Sequence, residues 1–268
     1  DQVTGTLTDG ALRAEMLGDR FAVPGETRKS PFAGKYTLII SDSGETSDSV
    51  AGDGYGAVTV DAVGTLRLNG ALPDGTAISQ EVPLSSGGVW PLYVSLYGGK
   101  GSLSGWIAFH RQASGDLAGR LRWIKPRAQQ DKMFANGFTK TMSVLGSVYV
   151  PPTGGAGSTN PSRAAVAFSG GTLHELIANV VTLGDNQKIT VVFDGGNKLK
   201  MNLAPATGLF SGSFVHPAAH NTTAFEGAWL QRLNLGSGHF PDAGRSGHVF
   251  FGGEARQTGH SDPSPAKR

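Results

Sequence analysis

Cysteine is absent from the 268 residues, which excludes disulfides, thiolate metal sites and thiol nucleophiles together. Charge is scarce as well. Asp, Glu, Lys and Arg make up 16% of the chain, against about a quarter in an average soluble domain. The surface must therefore be built from Ser, Thr, Asn, Gln and Gly, a profile that suits an extracellular β protein better than a cytosolic enzyme. The 23 basic side chains barely exceed the 21 acidic ones. So small an excess of base gives nucleic-acid binding no support. Long apolar runs are missing too. Gly and polar residues interrupt every stretch well short of the ~18 residues of a transmembrane helix. No signal sequence is visible, and Asp1 opens on strand-like residues, so the chain reads as a mature segment or an excised fragment.

What the chain has in excess is glycine, at 40 residues. Much of it recurs in one pattern: a large apolar residue, any residue, Gly, any residue, another large apolar residue. Copies run from Val3 to Leu7, Phe32 to Tyr36, Leu68 to Leu72, Leu103 to Ile107, Leu117 to Leu121, Val144 to Val148, Phe210 to Phe214 and Phe225 to Trp229. Composition alone would give about three. In a strand, positions i, i+2 and i+4 share a face, so each copy sets a Gly between two large side chains. Gly weakens a strand, and its repeated use there points to tight curvature or close backbone approach.

Strands at intervals of ~8–12 residues, with turn residues between them, predict an antiparallel sandwich or barrel. Pro73-Asp74-Gly75 is a turn by composition. Leu103 to Phe109 and Leu117 to Ile124 read as a hairpin. So do Lys188 to Phe193 with Lys198 to Leu203, and Thr207 to Val215 with Thr223 to Leu233. Residues 126–162 are less regular, and Pro151 to Pro161 has the composition of a linker. Leu173 to Leu183 carries the one possible helical period, set against a strand. The hairpins of residues 103–124 and 207–233 each hold two copies of the Gly pattern and a Trp, Trp123 or Trp229, which suggests two related lobes.

The expected organisation follows. Residues 1–31 give an N-terminal strand and loop, with Val3 to Leu7 joining the second lobe. Residues 32–150 form a first β lobe, 151–162 a linker, 163–253 a second β lobe and 254–268 an extended tail. The fold class is all-β and antiparallel, with about 12–15 strands in two packed, barrel-like or strongly curved lobes. The predicted core comprises Tyr36, Leu38, Leu66, Leu68, Leu72, Leu103, Ile107, Phe109, Leu117 and Leu121 in the first lobe, and Phe210, Phe214, Phe225 and Trp229 in the second.

Catalytic signatures are thin. No G-x-S-x-G elbow occurs, and His260, Ser261 and Asp262 are neighbours in a tail, where a triad cannot be held in geometry. His216 and His220 have a ligand spacing for a helix but flank a turn, so no metal and no cofactor is expected. Glu81, Glu175, Glu226 and Asp116 are the carboxylates near strands, and no pair among them is singled out for glycosidase chemistry. The Gly98 to Gly101 cluster joins two strands and lacks the helix N-terminus that anions use. Asn221-Thr222-Thr223 matches a glycosylation acceptor, which matters only in a eukaryotic secretory route. The aromatics are more suggestive. Tyr93, Ser95 and Tyr97 share one strand face, and Trp106 lies opposite the Leu103–Ile107 core face. Together with Trp90 they are the candidate ligand-binding residues, as a platform for sugar rings or a protein hot spot.

The stretch from Pro31 to Ile40, the run from Gly52 to Phe109, and the later segments TGLFSGSF, FEGAWLQRLNLGSGHF and SGHVFF resemble a Gly-rich β segment of large exported bacterial proteins of verrucomicrobial and planctomycete type. The resemblance implies an exported, modular, surface-associated β protein. It carries no catalytic residues. The expected function is a non-catalytic structural or adhesive, self-associating module, secreted or at the cell surface. Its partners would be other protein subunits or cell-surface components. The alternative is a carbohydrate-binding module that takes polysaccharide.

Overall fold

The computed structural model describes residues 2–21, 29–44, 50–112, 115–152, 163–184 and 187–253. All regular structure among them is β apart from short 3-10 turns. A small hairpin comes first, β1 (Gln2–Thr8) with β2 (Arg13–Asp19). The first large sheet holds β3 (Gly34–Asp42), β4 (Gly54–Val60), β5 (Thr65–Ala71), β6 (Ala77–Pro83), β7 (Val89–Leu96), β8 (Gly101–Gln112), β9 (Gly115–Lys125) and β10 (Phe138–Tyr149). The second holds β11 (Arg163–Gly170), β12 (Ile177–Leu183), β13 (Ile189–Phe193), β14 (Lys200–Leu203), β15 (Leu209–Val215), β16 (Thr222–Leu230), β17 (Leu235–Asp242) and β18 (Arg245–Gly253).

Both large sheets are antiparallel and barrel-like, with eight strands each. In each, the first and last strands pair. β3 lies against β10 with Lys35 opposite Tyr149, and β11 lies against β18 with Ala164 opposite Gly253. Each ring is left open at one seam, between β6 and β7 in the first sheet and between β13 and β14 in the second. Counted from the seam, β8 and β9 follow the edge strand β7 as β15 and β16 follow β14. The two hairpins that look alike in sequence therefore occupy equivalent places in their barrels.

Alternation builds the interior. Along β4, buried residues alternate with less buried ones, and Leu66 and Leu68 of β5 point the same way into the barrel. All fourteen predicted core residues are buried. Each sheet closes on its own apolar cluster, around Leu38, Leu68, Ile107 and Trp123 in the first and around Phe168, Phe214, Phe225 and Phe240 in the second. The patterned glycines sit where neighbouring strands cross closely. A Cβ on Gly119 would lie 2.9 Å from the Cα of Ile107, and one on Gly105 would lie 3.0 Å from the Cα of Leu121.

Several expectations need correcting. The described residues hold 18 strands, more than the 12–15 expected. β10, central to the first sheet, extends well beyond the Gly-pattern copy at Val144 to Val148, because Lys140 takes an inward position in line with Met142 and Val144. Val3 to Leu7 does not join the second lobe. It pairs only with β2, and the chain after that hairpin meets the first sheet at a Phe21–Ser85 bridge. The proposed hairpin of Lys188 to Phe193 with Lys198 to Leu203 makes its turn, with Asn197 N–H donating to Asp194 at 2.9 Å. Its two strands are nevertheless the unpaired edges of the second seam. Asn197 Nδ2 donates to Asn179 of β12 at 2.8 Å, and the Asn197 carbonyl accepts from Val215 of β15 at 2.6 Å, which splays the turn between the two sides. Residues 177–183 form a strand rather than a helix. The tail with His260, Ser261 and Asp262, and most of the 151–162 linker, lie outside the described residues.

Candidate functional site

The two barrels meet along β3, β4 and β10 on one side and β16 and β17 on the other. Ile39, Ala228 and Leu230 form a small apolar layer there, backed by Tyr55, Leu145 and Leu235. Polar contacts surround it. Thr37 Oγ1 donates to the carbonyl of Trp229 at 2.7 Å, and Tyr55 donates to Glu226 at 2.5 Å. Burial pushes the Tyr55 phenol well above its ordinary range, and the Glu226 carboxylate pushes it further. Asp53 N–H donates to Gly238 at 3.1 Å, and His239 Nδ1 donates to the Asp53 carbonyl at 2.9 Å. Burial lowers the His239 imidazole, which favours its neutral form.

Ser237, His248 and Asp53 also converge in this interface. Their order is wrong for nucleophilic catalysis. Ser237 Oγ donates to Asp53 Oδ2, so the 2.8 Å contact between Ser237 and His248 must be the Nε2 proton donated to Oγ. The same Nε2 lies 3.3 Å from Asp53. A triad needs the carboxylate on the opposite ring nitrogen and a base facing the hydroxyl. Ser237 is also buried between the lobes. The cluster is a polar clamp. Sequence reasoning missed it because its members lie far apart along the chain and belong to no motif.

The carboxylates considered for hydrolysis are not brought together. Glu81 pairs with Arg67 on the outside of the first barrel at 3.0 Å. Glu226 faces Tyr55 between the lobes, Asp116 pairs with Arg232, and Glu175 is exposed. His216 is buried, and its Nδ1 accepts from Ala219 N–H at 3.2 Å while Nε2 faces Asp242 at 3.4 Å. Both ring nitrogens are thus engaged. Among the described residues no three His, Asp or Glu converge as metal ligands.

The four aromatic candidates divide two and two. Trp90 is buried inside the first barrel, where its Nε1 donates to Gln80 Oε1 at 2.7 Å. Tyr97 leaves the strand. Its φ of 54° turns the chain after Leu96, and its ring folds back towards the core. There the hydroxyl donates to Asp74 at 2.7 Å and accepts from Trp123 Nε1 at 3.0 Å. Lys125 sits 4.3 Å from the Tyr97 ring centre and bridges Asp74 and Asp131, at 3.0 Å each. Burial would raise the Asp74 carboxyl, but hydrogen bonds from Tyr97, Lys125 and Thr76 outweigh it and hold the pKa low. Trp90 and Tyr97 are therefore framework residues, not platform residues.

Tyr93 and Trp106 are different. They are 63% and 51% exposed, on the outer face of β7 and β8. The register sets Trp106 beside Pro91 and Tyr93 beside Ser104, so the two rings are diagonal neighbours on one face. Such pairs lie within reach of one another, at about 7–8 Å between backbones. Past Trp106 the surface enters a cleft of about 310 Å³, lined by Phe21, Pro91 and Ser85 among others.

No family model matches the chain, and no curated protein is similar to it. A crystal structure of an endo-1,5-alpha-L-arabinanase from Thermotoga petrophila aligns at 8% identity with a TM-score of 0.23, covering 94% of this chain and 66% of that one. A likeness of that size carries no argument about fold or function.

Proposed function

We propose that the protein is a non-catalytic adhesive β module of an exported bacterial protein, and that it adheres through carbohydrate. The observation that supports this most is the Tyr93–Trp106 pair. Two large rings stand exposed and side by side on a sheet whose opposite face is closed core. Adjacent exposed rings offer flat apolar faces of the kind that sugar rings and protein partners cover. A sheet of eight hydrogen-bonded strands holds them rigidly, which suits stacking on sugar rings. The low charge and polar surface fit a secreted or surface-bound role.

The test is a polysaccharide retention assay with wild type, Tyr93→Ala and Trp106→Ala. Wild-type protein should be retarded by at least one insoluble or gel-embedded polysaccharide, and each substitution should weaken retention. Equal mobility of all three proteins on every polymer would overturn the reading.

A second reading, a structural module that associates with a second copy of this chain, has its own observation. Val3, Leu7 and Met16 share one face of the β1–β2 hairpin and are 66%, 70% and 56% exposed. A two-stranded hairpin is marginal by itself. Sedimentation of wild type against Leu7→Ser tests this: self-association lost in the variant supports it, and a monomer at high concentration in both removes it.

A further inference from the structure

β5, β7 and β9 run in the same direction, so their C-terminal ends lie at one end of the first barrel. Asp74 follows β5 in its turn to β6, Tyr97 follows β7, and Lys125 closes β9. The side chains of Lys125 and Asp74 are 4% and 1% exposed. Lys125 Nζ donates to Asp74 Oδ2 and to Asp131 Oδ2 at 3.0 Å each, and it lies over the Tyr97 ring. The two oxygens of Asp74 are held differently. Oδ1 accepts from Thr76 N–H at 2.9 Å, and Oδ2 accepts from the Tyr97 hydroxyl at 2.7 Å. The groups that an acyl condensation needs are thus all in place: an amine against a carboxyl group, a second carboxylate on the amine, an N–H on one oxygen and an O–H on the other. A carboxyl carbon lies one bond beyond its oxygens, so Nζ stands no more than about 4.3 Å from Asp74 Cγ. As an ion pair alone the contact would add little, because desolvation of two buried charges offsets their attraction.

We propose that Lys125 and Asp74 condense to an isopeptide bond, a covalent brace across the first barrel made without cysteine. One proton passes from Nζ to Asp74 Oδ2 along their hydrogen bond, which turns the ion pair into an amine and an acid of unchanged total charge. The Nζ lone pair attacks Cγ, and the Thr76 N–H stabilises the charge that develops on Oδ1. Asp131 takes a second proton from the nitrogen and returns it to Oδ2, while the Tyr97 hydroxyl holds that departing oxygen. The Cγ–Oδ2 bond breaks, one water leaves, and Nζ keeps one hydrogen as an amide. No oxidant, reductant or cofactor enters. Burial raises the Asp74 carboxyl, but hydrogen bonds from Tyr97, Lys125 and Thr76 outweigh it, so the amine and acid are the minor form and closure lags behind folding. Proximity compensates, since reactants held in geometry behave as if at about 10⁵–10⁸ M. An opening of about 210 Å³ beside Asp74, Tyr97 and Asp131 gives the water a way out. The bond joins residues 51 positions apart. It ties the β5–β6 side of the open seam to the β7–β9 side, where the backbone ladder leaves β6 and β7 unpaired. The inference is independent of the carbohydrate reading.

The experiment is intact-mass spectrometry of the full chain, freshly purified and after prolonged storage in the folded state, with a proteolytic map. Wild type should come to weigh one water less than its sequence, and its digest should contain a branched peptide that joins residue 74 to residue 125. Lys125→Arg keeps a cation beside both acids but cannot form this amide. It should stay at full sequence mass and migrate more slowly than wild type on a denaturing gel, because the unfolded wild-type chain retains a closed loop. Asp131→Asn keeps both reactants and should leave part of the protein at full mass; complete conversion in that variant would overturn the role given to Asp131. Wild type that remains at full sequence mass after storage holds an ion pair only and overturns the proposal, a readout that depends on no variant folding. Asp74 precedes Gly75, and a cyclic imide at such a pair also costs one water. A loss of water that persists in Lys125→Arg, with no branched peptide in either protein, would mark the imide and overturn the proposal as well.

Discussion

Gln80 and Trp90 join the two edge strands of the first barrel where the backbone ladder does not. Gln80 Oε1 accepts from Trp90 Nε1 at 2.7 Å, and Gln80 Nε2 donates to the carbonyls of Pro91 and Tyr93 at 3.2 and 3.4 Å. One side chain thus replaces part of the missing ladder between β6 and β7 and satisfies a buried indole. Gln80→Ala would strip the acceptor from Trp90. It should cost about 1–3 kcal/mol, the penalty for a buried polar group left unpaired. Gln80→Glu keeps the acceptor and should cost less. Denaturant midpoints, with amide exchange along β6 and β7, check this; equal midpoints for Gln80→Ala and wild type would refute it.

A second prediction concerns the contact between the barrels. Gly52 has φ of +82°, and a Cβ there would lie 2.5 Å from the Gly247 carbonyl oxygen and 2.8 Å from His239 Cβ. Gly52→Ala should therefore force the lobes apart. The expected loss is about 1–3 kcal/mol from overpacking and backbone strain together. Unfolding of the variant, followed by Trp fluorescence and by calorimetry, should separate into two transitions. A single transition at the wild-type temperature would refute the prediction.

The clamp between the lobes should respond to pH. His239 faces Asp53, Glu226 and the stacked ring of Tyr55 at 5.9 Å, and burial outweighs the carboxylates to hold its pKa below the ordinary 6.5. A depressed imidazole stays neutral in the folded protein while the unfolded chain takes up a proton. Its contribution to stability is complete above about pH 6.5 and is lost as pH falls towards the folded pKa. His239→Gln should flatten the stability profile below about pH 6.5. Parallel profiles for the two proteins would show that His239 does not contribute to the slope. Asp74 and Asp42, both held below the ordinary 3.8, add stability that is present above about pH 4 and fades as pH falls through their folded values.

The buried charges around Tyr97 give a fourth prediction. Lys125 and Asp74 are almost wholly covered, with 4% and 1% of their side-chain surfaces exposed. Lys125→Met would strand Asp74 and should cost about 3–5 kcal/mol. The double variant Lys125→Met with Asp74→Asn removes both charges and should recover a large part of that loss. Additive losses in thermal melts would mean that the two groups are not coupled.

Much of the fold could be read from the sequence, and the reasons are local. Leu66, Leu68, Leu117 and Leu121 announce their faces by strict alternation, and Pro73-Asp74-Gly75 announces its turn. β10 is harder to recognise because Lys140 points inward, where it pairs with Asp42, 98 residues away. The site was half legible. Tyr93 and Trp106 follow from alternation, but Trp90 follows the inward parity of Leu92 and Leu96. Tyr97 escapes alternation altogether, because one positive φ ends the strand beneath it.

The pairing of first and last strands has a consequence for how such a unit can be handled. Lys35 stands opposite Tyr149, and Ala164 opposite Gly253, so the chain enters and leaves each barrel at neighbouring points. Each barrel can then be cut open at its seam and rejoined at its old ends without breaking a ladder. A circular permutant that starts at β7 and ends at β6 should fold to the same sheet. For the same reason, a whole barrel could be set into a tight turn of another protein while displacing that turn by little more than one strand spacing, about 5 Å.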